Sequence, residues 1–273
     1  MPEMPEVETV RQTLKKQIIG KTISDIKVLY PKMLLNPTDV FISSLKGRKL
    51  LDIDRRGKYL IFIFDNEVAM ISHLRMEGKY FLKPESAEIA KHEHVVFYFS
   101  DGLSLRYHDT RKFGRMEVKP VKDIYVTPPI SLLGLDANQV TKESLKAHIK
   151  GHALLKSFLL KQEDIAGIGN IYADEICFKA HLNPKEDVLN LTDEDLENIV
   201  LASHEIINEA IKAGGTTIRS YTSSLGVTGL FQLKLMVHTK KGFPCPLCGN
   251  EIVKEVVAGR GTYFCPTCQK LKK

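Results

Sequence analysis

Residues His94-Val-Val-Phe-Tyr-Phe-Ser-Asp-Gly-Leu-Ser-Leu-Arg-Tyr107 carry the clearest structural signal in the chain. An apolar run and an alternating run flank Asp101-Gly102, a dipeptide that favours a tight turn with positive φ. The pattern predicts a β-hairpin. Two other runs with strand composition, Lys58–Phe64 and Val68–Leu74, precede it. We therefore predict that the stretch from Lys21 to about Lys119 is rich in β-strands.

A helix is predicted at the start of the chain, from Glu3 to Gly20. Acidic residues cluster at its N-terminal end, where the helix dipole favours them, and Gly20 is a stop signal. Apolar residues recur at the spacing of one helical face: Val7, Val10, Leu14 and Ile18.

The second half of the chain has helical periodicity. It follows a connector that contains Pro120, Pro128 and Pro129. Helical segments are predicted at Lys142–Lys150, Asn170–Ala180 and Asp193–Ile211. The residues from Thr216 to Leu230 are rich in Ser, Thr and Gly, which indicates a mobile loop.

Four of the five cysteines form two close pairs, Cys245-Pro-Leu-Cys248 and Cys265-Pro-Thr-Cys268, whereas Cys177 stands alone. Two CxxC turns supply the four thiolates of a tetrahedral zinc site. Cysteines paired in this way indicate metal binding in a reducing compartment rather than a disulfide framework. Because four thiolates leave no open coordination position, we predict one structural zinc ion per chain.

The residues between the cysteine pairs are predicted to form a second hairpin. Its strands are Ile252–Val257 and Tyr263-Phe264, and its turn is Ala258-Gly-Arg-Gly-Thr262. Arg260 then lies at the tip between two glycines, where its guanidinium is able to bind a phosphate. Alternatively, Arg260 is an ordinary exposed arginine in a turn.

The overall composition is that of a soluble globular protein, with 43% hydrophobic and 26% charged residues. A net charge of +6 and a pI of about 8.9 fit a polyanionic partner without identifying it. The chain has no run of about 18 apolar residues, so no membrane span is expected. The Met-Pro-Glu start resembles neither a signal nor a transit peptide, so we expect a cytoplasmic protein.

Several separate motifs resemble those of the formamidopyrimidine-DNA glycosylase family and occur in the family's order. They are Met1-Pro-Glu-Met-Pro-Glu-Val-Glu-Thr9, Arg55-Arg-Gly-Lys-Tyr59, His73-Leu-Arg-Met-Glu-Gly78, Lys91-His-Glu-His94, Asp109-Thr-Arg-Lys-Phe-Gly114, Gly167-Ile-Gly-Asn-Ile-Tyr172, and the cysteine module with Gly259-Arg260. The resemblance implies an α+β fold in three domains. These are an N-terminal β-rich sandwich domain with a leading helix (residues 1–133), a helical helix–two-turn–helix domain with a lesion-recognition loop (134–235), and a C-terminal zinc-ribbon hairpin (236–273).

The resemblance also implies an activity, the removal of oxidised purines such as 8-oxoguanine and formamidopyrimidines from duplex DNA, followed by β,δ-elimination. Loss of Met1 would expose the α-amine of Pro2, which could attack C1′ and form a Schiff base. Glu3 is implied as a general acid/base, Lys58 as an essential amine, and Arg260 as the ligand of the expelled phosphate. Without the resemblance, Pro2 and Glu3 are typical of a helix start, and Lys58 of a surface cation.

Other residues are implied to hold the DNA. Met76, Arg111 and Phe113 match the family's wedge, which fills the space left by an extruded base. Arg111 would bind the orphaned base, expected to be cytosine. Spacing alone instead favours core positions for Met76 and Phe113. The remaining candidates for phosphate or other DNA contacts are Asn170 at a helix start, His92 and, more weakly, His73; a lone histidine is more often a satisfied polar core residue.

The chain departs from the family pattern at several points. His152 stands where the family often has Lys or Arg, and a histidine is mostly uncharged at neutral pH, so a weaker contact is expected. Lys156, one helical turn away, is a candidate to compensate. Met4 replaces a more usual Leu. The segment Thr217–Gly229 matches the damaged-base loop, or else is a plain linker.

The expected partner is double-stranded DNA with an oxidised purine, preferably opposite cytosine, and the protein is expected to be a monomer. One alternative is a glycosylase resembling endonuclease VIII, which acts on oxidised pyrimidines; the wedge Arg111-Lys-Phe113 weighs against it. Another is a non-catalytic, zinc-dependent protein that binds damaged DNA. The co-occurrence of Pro2, Glu3, Lys58 and Arg260 weighs against this second alternative.

Overall fold

The fold combines helices with mainly antiparallel sheets, which confirms the α+β class. A computed structural model describes residues 1–216 and 229–272. Its helices are α1 (Met4–Ile18), α2 (Thr38–Leu45), α3 (Lys142–His148), α4 (Leu155–Leu160), α5 (Asn170–Lys179) and α6 (Asp193–Lys212). Its strands are β1 (Ile23–Val28), β2 (Leu50–Arg56), β3 (Tyr59–Phe64), β4 (Val68–His73), β5 (Lys79–Pro84), β6 (Glu93–Phe99), β7 (Leu103–His108), β8 (Arg115–Pro120), β9 (Leu135–Asp136), β10 (Ile165–Ala166), β11 (Val253–Val257) and β12 (Arg260–Phe264).

Contacts divide the chain into two compact units. The first contains residues 1–131 and 214–229, and the second contains residues 132–213 and 230–273. The cysteine module therefore shares a unit with helices α3 to α6. The three-domain division with boundaries at residues 133 and 235 stays a prediction.

The first unit is built on two four-stranded antiparallel sheets, with strand orders β1-β6-β7-β5 and β2-β3-β4-β8. The hairpin predicted around Asp101-Gly102 is confirmed as β6–β7, in which Phe97 lies opposite Leu105. The runs predicted from Lys58 and Val68 are β3 and β4, and each matches to within one residue at either end.

The two sheets share one apolar core. Phe62 of β3 and Tyr80 of β5 meet edge to face, with ring centroids 5.6 Å apart. Helix α1 packs on β2 and β3, and its apolar face is buried as predicted. Burial of this face, rather than helix propensity, provides most of the stability of such a helix.

Helix α2 lies in a stretch that was predicted to contain strands. It begins after Pro37, and Phe41 and Leu45 are buried in the core. Eight residues give only two turns, too short a repeat for periodicity to identify the helix.

The second unit contains helices α3 to α6 and the hairpin β11–β12. The three predicted helical segments correspond to α3, α5 and α6, with ends shifted by one or two residues. Helix α5 packs against both α6 and β12. Among the described residues, no helix combines the length and apolar character that crossing a bilayer requires.

Candidate active site and DNA-binding residues

Side-chain hydrogen bonds set the register between α1 and β2. Arg11 of α1 donates to the carbonyl of Ile53 in β2 at 3.3 Å, and Arg55 donates to Glu8 Oε2 at 2.9 Å. Helix α1 and strand β2 therefore run antiparallel, with the N-terminal end of α1 toward the C-terminal end of β2. Strand β2 ends at Arg56, so the register directs Pro2 toward the β2–β3 turn.

Lys58 is in the two-residue turn between β2 and β3. Arg56 pairs with Tyr59 across this turn, and Gly57 adopts a positive φ of 52°. Although Lys58 is in a hairpin turn, the residue is buried and only 6% exposed. This burial contradicts the alternative of an ordinary surface cation.

Pro2 and Glu3 are both buried, with Glu3 only 2% exposed. The amide of Glu3 donates to Glu6 Oε2 at 2.8 Å. The other oxygen of Glu6 accepts from the amide and the hydroxyl of Thr216, at 2.7 and 3.0 Å. The Glu6 carboxylate thus ties the peptide that follows Pro2 to the residue that precedes segment 217–228.

His73 ends β4 and is buried next to Lys58. Its Nδ1 accepts the amide of Arg75 at 2.9 Å, and its ring meets Tyr59 at a centroid distance of 4.6 Å. Burial, together with the positive charges of Arg75 and Lys58, lowers the pKa of His73 to about 3. The imidazole is therefore neutral at physiological pH and could serve a phosphate only as a hydrogen-bond donor.

Met76, Arg111 and Phe113 lie on two exposed loops. Met76 is 37% and Phe113 is 47% exposed, so the alternative of core positions is wrong. The Arg111 guanidinium stacks over the Phe113 ring at 4.8 Å. Large apolar side chains held in water cost free energy, and such exposure is common at interaction sites.

The two loops meet at the hydroxyl of Tyr107. A methyl group at Gly78 or at Gly114 would overlap that hydroxyl. Thr110 of one loop also donates a hydrogen bond to Glu77 of the other. Neither glycine can be replaced without displacing Tyr107, because the tyrosine is fully buried.

The other two histidines have contrasting surroundings. His92 lies in a histidine cluster, with ring centroids 5.6 Å from His108 and 6.4 Å from His94. The His152 side chain is 85% exposed and its Nδ1 lies 2.6 Å from the Asp187 carboxylate. An acidic partner reduces the attraction of His152 for a phosphate.

Lys156 is not available to compensate for His152. It is fully buried and pairs with Asp174 at 2.6 Å. Asp174 also accepts from the amide of Tyr263 and contacts Nδ1 of His238. The expectation that Lys156 contacts DNA is therefore wrong: burying an ammonium requires a partner, and the lysine binds within the protein.

Asn170 begins α5, as predicted, and is linked to the cysteine hairpin. Its side-chain amide donates to the carbonyl of Gly261 at 3.0 Å, and Lys156 donates to the same carbonyl at 3.3 Å. Both bonds hold the backbone one residue after Arg260. The motif around Asn170 and the hairpin, which looked separate in the sequence, therefore form one cluster.

The hairpin turn is tighter than predicted. Ala258 and Gly259 form it, both with positive φ, and Arg260 is the first residue of β12 opposite Val257. Arg260 is exposed. Pairing three further residues on the returning strand adds ladder hydrogen bonds, which a five-residue turn would lack.

The four cysteines of the two CxxC pairs converge. Their sulfur atoms lie within 4.8 Å of one another, with 3.8 Å between Cys245 and Cys268 and 3.5 Å between Cys248 and Cys265. Tetrahedral zinc with Zn–S bonds of about 2.3 Å requires sulfur separations of roughly 3.8 Å. The four residues fit one zinc ion.

Sequence patterns did not reveal the roles of Glu6 and Glu175. Glu175 is buried in α5 and accepts the amides of three consecutive residues, Met236 to His238. The available signal for Glu175 was a pair of adjacent acidic residues, Asp174 and Glu175, among the apolar residues of α5. The candidate lesion loop Thr217–Gly229 lies, except for Gly229, outside the described residues.

Three family models match the chain. They are the N-terminal domain of formamidopyrimidine-DNA glycosylase over residues 1–116, the H2TH domain of the same enzyme over 133–222, and a zinc finger found in FPG and IleRS over 242–271. A formamidopyrimidine-DNA glycosylase of Ligilactobacillus salivarius is 45% identical, with 100% of each chain covered.

Solved structures of the Lactococcus lactis Fpg are also similar. A G226P mutant in complex with DNA containing Fapy-dG has a TM-score of 0.93 and 39% identity, and the match covers 98% of this chain and 100% of that chain. The wild-type protein in complex with DNA containing an oxidised pyrimidine has a TM-score of 0.92 and 38% identity at the same coverage.

Proposed function

The chain belongs to the formamidopyrimidine-DNA glycosylase family and is a base-excision repair glycosylase and AP lyase with a four-cysteine zinc finger, and we propose that Pro2, Glu3, Lys58 and Arg260 carry its chemistry. The α1–β2 register is the observation that carries this proposal, since it directs Pro2 toward the turn of Lys58.

Pro2 is the nucleophile in this proposal. Met1 is 49% exposed and has to be removed, because an amide nitrogen cannot attack. The secondary amine then bonds to C1′ of the damaged nucleotide as the glycosidic bond breaks, and a Schiff base forms. Buried Glu3 donates or accepts the proton at this centre.

Lys58 and Arg260 assist the later steps. The amine of Lys58 lies beside neutral His73, where it helps base departure and the β-elimination that breaks the 3′ C–O bond. Arg260 binds the phosphate that leaves in the δ-elimination. A zinc ion held by the four cysteines would supply no chemistry, since four thiolates would leave it no open coordination position; it would hold the hairpin that presents Arg260.

The DNA is double-stranded and carries an oxidised purine, preferably opposite cytosine. Met76, Arg111 and Phe113 fill the space left by the extruded base. Asn170, His92, His73 and the weaker candidate His152 contact the backbone. We infer that the enzyme acts as a monomer on DNA in the bacterial cytoplasm.

Oxidised pyrimidines are a second candidate substrate class. The similar Lactococcus lactis Fpg has been captured with DNA containing an oxidised pyrimidine. Competition between 8-oxoguanine and thymine-glycol duplexes would measure the preference, and we expect the purine lesion to win.

Borohydride trapping tests the proposal directly. The enzyme is incubated with a duplex that has one 8-oxoguanine opposite cytosine, reduced, digested and mapped by mass spectrometry. We expect the adduct on an N-terminal Pro2, and none when an added residue blocks Pro2. Lys58→Ala should abolish nicking while DNA affinity falls much less; Lys46→Ala, at an exposed pair with Asp25, is the control. An adduct on another amine would overturn the assignment.

A further inference from the structure

Arg115 fastens the loop that carries Arg111 and Phe113. The loop runs from Asp109 to Gly114, between β7 and β8, and Arg115 is the first residue of β8. Its Nη1 donates to the carbonyl of Gly114 at 2.7 Å and to that of Phe113 at 3.2 Å, with the Lys112 carbonyl at 3.4 Å. One guanidinium nitrogen thus donates to three consecutive carbonyls of the chain.

Asp109 holds the amide side of the same loop. Its carboxylate accepts the amides of Arg111 and Gly114, both at 2.9 Å. Asp109 is fully buried, so it anchors the loop to the sheet. Asp109 and Arg115, at the two ends of the loop, therefore bind two of its amides and three of its carbonyls.

Apolar burial does little to fix this loop. Residues 110 to 113 are all exposed. Lys112 adopts a left-handed φ of 58°, a conformation that is unfavourable for residues other than glycine. A strained and exposed loop keeps one conformation only if hydrogen bonds determine it. Strand β8 itself does not need the Arg115 side chain, because its backbone pairs with β4 from His73 to Val68.

We propose that Arg115 is a positioning residue for reading the opposite base: it fixes the loop so that Arg111 discriminates between partner bases. This inference rests on the proposed wedge role of Arg111 and Phe113. Rigid placement matters because hydrogen-bond discrimination between bases depends on geometry. Single-stranded DNA has no orphaned base, so positioning by Arg115 has little effect on that substrate.

The test compares Arg115→Met with Arg115→Lys, and uses Arg48→Met as the matched control. Arg48 is exposed, and the hydrogen bonds described for it are made by its backbone amide and carbonyl. Single-turnover kcat/KM is measured on 8-oxoguanine opposite cytosine and opposite adenine, and borohydride trapping on a single-stranded abasic oligonucleotide. We expect Arg115→Met to lower the cytosine-to-adenine ratio at least fivefold, with a far smaller effect on trapping. Arg115→Lys should have a ratio between those of Arg115→Met and the wild type, and Arg48→Met should have the wild-type ratio.

Four results would overturn the inference. The first is an unchanged cytosine-to-adenine ratio of kcat/KM in Arg115→Met, provided that Phe113→Ala loses duplex activity. It would show that the loop does not need Arg115. Equal loss of ratio and of trapping would indicate a folding role. A uniform loss on all duplexes, with a salt dependence reduced by about one phosphate contact, would make Arg115 a direct DNA contact. If Phe113→Ala leaves duplex activity unchanged, the wedge proposal itself fails, and this inference with it.

Discussion

The buried carboxylate of Glu6 accepts a hydrogen bond from the amide of Thr216 at 2.7 Å, across 210 positions of sequence. Its other oxygen accepts the amide of Glu3. Gly215 makes room for the contact, because a side chain there would meet Glu6 Oε1 at 2.7 Å. Glu3, next to the proposed nucleophile, and Thr216, just before the proposed lesion loop, thus donate to the same carboxylate.

Glu6→Gln should uncouple base removal from strand nicking. An amide side chain has one acceptor oxygen, so one of the buried donors at Glu3 and Thr216 loses its partner, at a cost of about 1–3 kcal/mol. We expect single-turnover release of 8-oxoguanine to fall at least about fivefold, and nicking of a preformed abasic site to fall less. Glu197→Gln, at an exposed carboxylate, serves as control. Equal losses on the two substrates would refute the coupling.

Lys156→Met should strongly destabilise the second unit. The substitution leaves the Asp174 carboxylate, which is fully buried, without its ammonium partner, and such a loss costs about 3–5 kcal/mol. Urea unfolding monitored by circular dichroism measures the change. Lys146→Met removes an exposed pair with Asp193 and should cost much less, because exposed ion pairs contribute little to stability. If Asp174→Asn does not restore part of the stability of Lys156→Met, the ion pair is not the cause.

Gly114→Ala should disrupt the exposed loop by steric overlap. The new methyl group would overlap the Tyr107 hydroxyl and lie 2.7 Å from Cζ of the same ring. Overpacking of this kind costs about 1–3 kcal/mol. We expect a lower Tm and weaker binding to 8-oxoguanine duplexes in a fluorescence anisotropy titration. Gly151→Ala introduces a methyl group that meets no atom within 4 Å, so its Tm should stay close to that of the wild type.

His73 should make the stability of the protein fall with acid. Its pKa is lowered to about 3 in the folded state by burial first, then by Arg75 and Lys58, whereas an unfolded histidine titrates near 6.5. Between these values the unfolded chain binds the extra proton, so the free energy of unfolding decreases as pH falls, by up to ~1.4 kcal/mol per pH unit.

The measurement is a series of urea titrations between pH 7 and pH 4. His73→Gln should reduce the slope of stability against pH, while His152→Gln should keep it, because the His152 side chain is 85% exposed. Identical slopes in all three proteins would mean that His73 is not buried in its neutral form.

The sequence by itself determined the local features. The spacing of Val7, Val10, Leu14 and Ile18 specified the buried face of α1, Asp101-Gly102 specified the β6–β7 hairpin, and the two CxxC pairs specified the zinc site. Each depends on residues at most a few positions apart, or on metal chemistry that joins two such motifs. The family motifs pointed to Pro2, Lys58 and Arg260 without showing their surroundings.

Only the tertiary structure decided which charges are buried and what they bind. The sequence made Lys156 a candidate DNA contact, yet it pairs with Asp174 and donates to the carbonyl of Gly261, 105 positions away. Met76 and Phe113 have core composition but lie at the surface. The physical reason is that burial and ion pairing depend on distances in space between residues far apart in the chain. Periodicity and composition describe only the neighbourhood of each residue along the chain.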